Sequence, residues 1–564
     1  MLRGRPGDAR QLPAHRRHAP IVPPVTAAAA LPAPARRRWL GLAVLSLGVS
    51  MIIVDATVVN VAIPTIIGDL GLRATDAEWM NTIYSLVFAA LLISVGRAGD
   101  RWGRRLFFFA GVTLFVLSSL WAARAWSPQS LIAARFVQGI GGAMILPATL
   151  SSVNAMFQGR ERAVAFGVWG SVIGGMAALG PLLGGWLTSE HSWRWIFSIN
   201  VPVGAVVVLG AWAFVPETRD PHFRRGADPW GIATVSLGLA AIVFALIEGQ
   251  RYGWLRPTAT FSALGVEWPF GALSIVLPVF AAGVLLVGGF LAIERRRVRA
   301  GRAVVVDLTL FRLRSFRNGN LAVLVVSLGE FGLIFSLPLF LQSVLGYSAF
   351  RTGVVLVALA SGAFVAGGLA ANLAKRHGSR PVVLAGMAAE AAGLLAAVPL
   401  LSTTATGWTL AGPLFLYGMG VGLATAQLTN AILMDIPLEA SGQASGIQST
   451  FRQVGSALGI AVLGTLLVVG LSTRTAAGLE QIAGLPPVAQ QGIATAVRES
   501  AGAVLPALRE QPGGEAVVEV VEDAFVASAR LVTAVGAGFI LAGLAAAARL
   551  PRERPDRPAA PGEA

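Results

Sequence analysis

The chain has 564 residues, 55% of them hydrophobic and 13% charged, with 44 Lys and Arg against 29 Asp and Glu for a formal charge of +15. A soluble globular chain carries about 25% charged residues, so this composition excludes a set of water-soluble domains and requires much of the apolar mass to face lipid. The basic residues stand in short clusters between apolar runs and form no single face, which excludes a nucleic-acid surface in spite of the charge.

A membrane-spanning helix needs about 20 predominantly apolar residues. In chain order such runs are predicted at 39–66, 79–96, 106–123, 128–157, 163–188, 193–215, 229–248, 272–293, 320–344, 353–374, 381–402, 408–434, 445–472 and 527–549, called spans 1 to 14 below. The expected fold class is an all-α polytopic membrane protein with 14 transmembrane helices. Residues 1–38, rich in Pro, Ala and Arg, predict a disordered basic cytoplasmic tail, and 551–564 a second tail. The longest segment outside the spans, 473–526, has an apolar spacing that predicts short amphipathic helices on the outer surface.

Positive charge collects in cytoplasmic loops. Of the 44 basic residues, 32 fall in the two tails and the loops after the even-numbered spans, and 9 fall on the opposite side. Arg135, Arg452 and Arg530 remain within or at the edge of spans. Both termini are therefore expected in the cytoplasm of a multi-pass protein of the plasma membrane.

An ionisable side chain at mid-membrane costs about 2.5–3.5 kcal/mol even on the gentler insertion scale, so such residues mark function. Asp55 lies well inside span 1 and Arg135 seven residues into span 4. The two spans run in opposite directions, which lets the side chains pair directly or through water. An acid beside an arginine, in a cavity that meets two aqueous phases in turn, can have its proton affinity switched by conformation. Glu330 and Glu390, near the middles of spans 9 and 11, are candidates for a second proton or for contact with a cationic or polar substrate. The chain has no cysteine, and its five histidines, His15, His18, His191, His222 and His377, show no ligand spacing, so no metal site is expected. No GxxxxGK[ST] loop is present, so no ATP site and no cofactor are expected, and the Asp55–Arg135 reading makes the proton gradient the expected energy source.

The loop SVGRAGDRWGRRLFF joins spans 2 and 3. Its Gly96, Gly99, Asp100, Arg101, Gly103, Arg104 and Arg105 resemble the loop signature of the major facilitator superfamily. VDATVVNVAIP at 54–64 and RFVQGIGGAMILPA at 135–148 resemble the span 1 and span 4 motifs of the fourteen-helix drug:proton antiporters of that superfamily. GPLLGG at 180–185, with Gly180, Pro181, Gly184 and Gly185, resembles the motif that separates its exporters from its importers. The second-half loop ANLAKRHGSRPVV keeps Gly378 and Arg380 but lacks the acid, which throws weight onto Lys375 and Arg376.

The resemblance implies an N-terminal six-helix bundle over 39–215, a linker with two inserted helices over 216–319 and a C-terminal six-helix bundle over 320–550, with a substrate site at the midplane. It implies proton-driven export of an amphipathic small molecule by alternating access, and no enzyme activity. Asp55 and Arg135 would carry the proton coupling, and Asp100 would touch the cytoplasmic N-terminus of span 13. The partners implied are a small-molecule substrate, protons and the lipid bilayer, with no nucleic acid and a monomeric chain. A proton-coupled importer on the same fold, a polytopic membrane enzyme such as a lipid-linked transferase, which would need acidic or His-rich loops that this chain lacks, and a membrane sensor without turnover are the alternatives.

Overall fold

The structure is a computed structural model, described for residues 34–71, 74–218, 228–263, 266–511 and 514–551. The tails expected over 1–38 and 551–564 lie almost wholly outside the described residues. Helices α1 (Ala35–Leu70), α2 (Ala74–Trp102), α3 (Arg104–Ala123), α4 (Pro128–Met156) and α5 (Gly159–Glu190) are followed by a short α6 (Trp195–Ser198) and α7 (Asn200–Phe214). Then come α8 (Pro229–Tyr252), a two-residue antiparallel pairing of Ser262–Ala263 with Val266–Glu267, and α9 (Val276–Arg299). The remainder is α10 (Arg314–Ser343), α11 (Ala349–His377), α12 (Ser379–Ala397), α13 (Gly407–Leu433), α14 (Ser441–Leu479), α15 (Pro487–Glu499), α16 (Leu505–Arg509) and α17 (Glu515–Ala547).

Among the described residues, twelve helical segments are long and apolar enough to cross a membrane. α5 and α10, at 32 and 30 residues, match them in length. Burial is inverted relative to a soluble protein. Large apolar side chains such as Leu209, Trp212, Leu237, Leu285 and Phe364 are exposed, whereas Asp55, Asp100, Arg135, Gln138, Glu330 and Glu390 are buried. The protein is a multi-pass membrane protein whose outer surface suits lipid and whose polar groups turn inward.

The helices form two groups. In the first, α1 packs on α5 and α7, and α3 on α4; in the second, α10 packs on α14 and α17, and α12 on α13. The groups meet along two seams, α2 with α14 and α5 with α11, and the α8–α9 pair lies beside α2 and α14. Small residues make the seams because lipid offers no hydrophobic drive and only close backbone approach gives cohesion. A Cβ on Gly96 would lie 2.5 Å from the Gly442 carbonyl oxygen, one on Gly446 2.7 Å from that of Leu92, and one on Gly167 3.0 Å from that of Gly367.

Two turns repeat between the groups. α2 passes to α3 through the single residue Gly103 at φ 117°, and α11 to α12 through Gly378 at φ 84°. An L side chain resists both conformations, so each glycine lets two long helices fold back within one residue.

Several boundaries differ from expectation. α1 begins at Ala35, inside the stretch predicted as tail, because Arg37 donates to the Ala213 carbonyl at 3.1 Å and Arg38 pairs with Glu161 at 2.8 Å. Span 6 is broken at Ile199 into α6 and α7. α14 runs to Leu479 and α17 starts at Glu515, so both extend well past spans 13 and 14. The extensions stay helical because they pack on each other, Gly478 lying against Val520, and because α15 covers α14. Two short helices, α15 and α16, do occupy the segment predicted to hold amphipathic ones.

Candidate functional site: a buried ion pair and a helix-end gate

Antiparallel packing brings the middle of α1 level with α4. Arg135 Nη1 lies 2.5 Å from Asp55 Oδ2, with both side chains fully buried. Gln138, one turn along the same face of α4, ties the pair together. Its Oε1 accepts from Arg135 Nη1 at 2.6 Å, while its Nε2 donates to Asp55 Oδ1 at 2.7 Å and to Ser119 Oγ at 2.9 Å. The break at Ile199 starts α7 with Asn200, whose Nδ2 donates to Asp55 Oδ1 and Ser119 Oγ, each at 3.2 Å. The Arg135 guanidinium lies over the Tyr84 ring at 4.2 Å and its Nε donates to the Met80 carbonyl at 3.4 Å. Three donors from α4 and α7 thus converge on one carboxylate. Removing one partner of such a buried pair costs about 3–5 kcal/mol because the other charge is stranded.

The GPLLGG segment lies directly on this site. A Cβ on Gly180 would run into the Thr57 hydroxyl, and one on Gly184 would stand 2.7 Å from the Val58 carbonyl oxygen. Thr57 and Val58 follow Asp55 by two and three residues. Gly185 faces the other way, toward Phe350 of α11 at 3.6 Å. The side chain of Pro181 lies outside the described residues.

At the end of the molecule where α1 begins and α17 ends, Asp100 is wholly buried and meets the N-terminus of α14. Oδ1 accepts from Gly442 N at 2.8 Å and Oδ2 from Gln443 N at 2.9 Å, while Arg104 pairs with it at 2.9 Å. A carboxylate at a helix N-terminus satisfies otherwise unpaired amides and the positive end of the dipole. Arg104 also donates to the Leu438 carbonyl, and Arg101 lies over the Trp102 ring at 5.0 Å. Asn154 and Arg162 join in, donating to Ser441 Oγ at 3.0 Å and Asn430 Oδ1 at 3.0 Å. This end is therefore latched between the two groups.

The residues between α9 and α10 reach the same latch. Glu294 Oε1 accepts from Val305 N at 2.9 Å, Arg97 of α2 donates to the Val304 carbonyl at 3.1 Å, and Asp307 N donates to Gln443 Oε1 at 2.9 Å. The second-half loop is built differently: Lys375 and Arg376 are exposed, and Arg380 donates to the Ala548 carbonyl at 2.5 Å.

Glu330 and Glu390 do not join Asp55. They lie together inside the second group, where Arg452 of α14 reaches Glu330 at 3.5 Å and Tyr417 of α13 completes the cluster. At the opposite end, Asp69 holds the start of α6 through Arg194 at 2.5 Å and Trp193 Nε1 at 2.8 Å. Hydrogen bonds from Trp193, then from Arg194, hold its carboxyl below the ordinary value of 3.8.

Sequence reasoning names the charges but misses Ser119, Gln138, Asn200, Tyr84, Tyr417 and the pairing of Arg452. Gln138 was findable, standing three residues after Arg135. Asn200 was not, because its role depends on the helix break.

Comparison with known proteins identifies the family. A family model described as the Major Facilitator Superfamily matches residues 39–460. The chain is 35% identical to the probable actinorhodin transporter of Streptomyces coelicolor over 80% of this chain and 76% of that one. It is 33% identical to the puromycin resistance protein pur8 of Streptomyces alboniger over 78% and 83%. The crystal structure of the human organic anion transporter MFSD10 superimposes with a TM-score of 0.57 at 14% identity, over 91% of this chain and all of that one, which supports the fold alone. The chain is thus a membrane transport protein and not an enzyme, and it belongs to the major facilitator superfamily.

Proposed function

We propose that the protein is a proton-coupled antiporter that exports an amphipathic small molecule across the plasma membrane by alternating access. In this reading it acts as a monomer without cofactor and has 14 spans, α5 and α10 completing the twelve. Residues 39–215 and 320–550 form two six-helix bundles with α8 and α9 inserted between them. Both termini face the cytoplasm, so the latch at Asp100 closes the cytoplasmic end of an outward-facing state.

The observation that carries the reading is the Asp55–Arg135 pair, sealed between α1 and α4 and packed through Thr57 and Val58 against Gly180 and Gly184. A proton reaching Asp55 cancels its charge and weakens its hold on Arg135, Gln138 and Asn200, so α1 gains freedom to slide on α5. Losing that proton to the cytoplasm restores the three donors to one carboxylate. A movement of α1 must pass through the glycine surface of α5, and this ties protonation to the side of the membrane on which the cavity opens. Arg135 neutralises the ionised acid, and Gln138, which contacts both, keeps the pair in register. The glycine segment resembles that of exporters, which favours export over import.

The reading takes its drug class from the relatives, so puromycin and actinorhodin serve as probes. Protein is reconstituted into liposomes with a trapped pH dye. Proton flux opposite to drug flux is expected, and Asp55→Asn should abolish it while leaving the protein inserted. Undiminished drug-linked proton flux in Asp55→Asn would overturn the coupling.

A further inference from the structure

Glu390 is completely buried on α12. Neither of its carboxylate oxygens has a hydrogen-bond partner among the described residues, and the same holds for the hydroxyl of buried Tyr417 on the facing helix. Gly420 of α13 closes over it so tightly that a Cβ there would stand 2.6 Å from Glu390 Cγ. The charged groups within electrostatic reach are Glu330 from α10 and Arg452 from α14. α17 shows only Ala529 and Thr533 to the small cavity beyond Tyr417.

Two acids here share one cation. Arg452 is committed to Glu330, which borders a second small cavity lined by Ser327, Thr425 and Thr429. Glu390 is left with no ion-pair contact and no hydrogen-bond donor among the described residues. An ionised carboxylate in an apolar interior without either is not a stable species, and such a group holds its proton instead. The Arg452 side of the cluster is the more open, its side chain being 32% exposed against 5% for Glu330. Arg452 therefore stands at the open side, with Glu330, Glu390 and Tyr417 buried behind it.

We propose that Glu390 is a proton-binding site inside the second helix group, occupied in this conformation and exchanging with the aqueous cavity through Glu330 and Arg452. In exchange, Glu330 releases Arg452, takes the proton from Glu390, gives it up to the cavity and returns, ionised, to Arg452; the same steps in reverse reload the Glu390 carboxylate. The bound proton itself needs no transported compound. Its place in the cycle rests on the antiport reading, to which it adds a second proton beside that of Asp55.

The test is infrared spectroscopy of the full-length protein in lipid nanodiscs at neutral pH, read in the carbonyl-stretch region of protonated carboxylic acids. A band is expected in the wild type and should be lost in Glu390→Gln. Arg452→Gln strands Glu330 as well and should add a second band. Identical wild-type and Glu390→Gln spectra in that region would overturn the site. Should Glu390→Gln fail to fold, dicyclohexylcarbodiimide, which couples to protonated carboxyls in apolar surroundings, is applied to the wild type and mapped by mass spectrometry. Modification of Glu390 that fades at alkaline pH supports the site, and its absence at neutral pH sinks it. These measurements use no drug, so they can fail while the Asp55→Asn result stands, or hold while it fails.

Discussion

Asp100 on α2 and Gly442 on α14 are joined by a 2.8 Å hydrogen bond from the glycine amide to the carboxylate, across a seam where the two backbones nearly touch. The carboxylate caps the other group's helix, so its charge and the seam are energetically one object. Hydrogen bonds to a charged group contribute about 1.5–3 kcal/mol each. Asp100→Ala is therefore expected to loosen the latch. The native chain has no cysteine, so a single Ser445→Cys, at a fully buried position next to Gly446 of the seam, reports opening cleanly. Its alkylation rate should rise about tenfold or more in the Asp100→Ala background; an unchanged rate would show that the capping contact does not hold the seam.

Arg135→Ala should strand Asp55 and cost about 3–5 kcal/mol. Arg135→Lys keeps the charge but cannot match the planar guanidinium that meets Asp55 and Gln138 and lies over Tyr84, so it should recover only part of the loss. Thermal unfolding in detergent ranks the three proteins. Equal melting of the alanine and lysine variants would mean that charge contributes nothing.

Gly180→Ala drives a methyl group into Thr57. Overpacking of this kind costs about 1–3 kcal/mol, and here it should also slow transport by jamming α1 on α5. Thr57→Ala removes the opposing hydroxyl and should restore much of the loss in the double variant. A double-mutant cycle with no coupling would place the defect elsewhere.

The contacts of Asp69 with Trp193 and Arg194 should be sensitive to acid. Its carboxyl titrates below the ordinary 3.8 because Trp193 and Arg194 donate to the ionised form. A lowered folded value means that the stabilisation is complete above the unfolded value and disappears as pH falls through the folded one. Asp69→Asn should thus melt below the wild type at neutral pH and converge with it in strong acid. A gap that persists in acid would assign the effect to packing.

The fold was largely legible because lipid imposes one rule on every span, and Leu, Val, Ala and Gly runs declare it. Asp55 and Arg135 were legible for the complementary reason that charges inside such runs are scarce. Neutral polar residues carry no comparable signal: Ser119 resembles the many serines that bond their own helix, and only three-dimensional packing aims it at Gln138 and Asn200. Spacing also could not tell that Glu330 and Glu390 form a centre apart from Asp55, since that depends on which faces of α10, α12 and α14 converge. The helix ends were missed where arginines such as Arg37 and Arg38 bond neighbouring elements and so prolong a helix beyond its apolar stretch.

The strand of chain between α9 and α10 holds Arg97 on one side of the seam and Gln443 on the other. Because this strap is covalently part of the same molecule, its released contacts face an effective concentration set by chain length rather than by dilution, of millimolar order for short flexible links. The closed end should accordingly be recaptured with kinetics independent of protein concentration, which would make this strap a timing element for the latch.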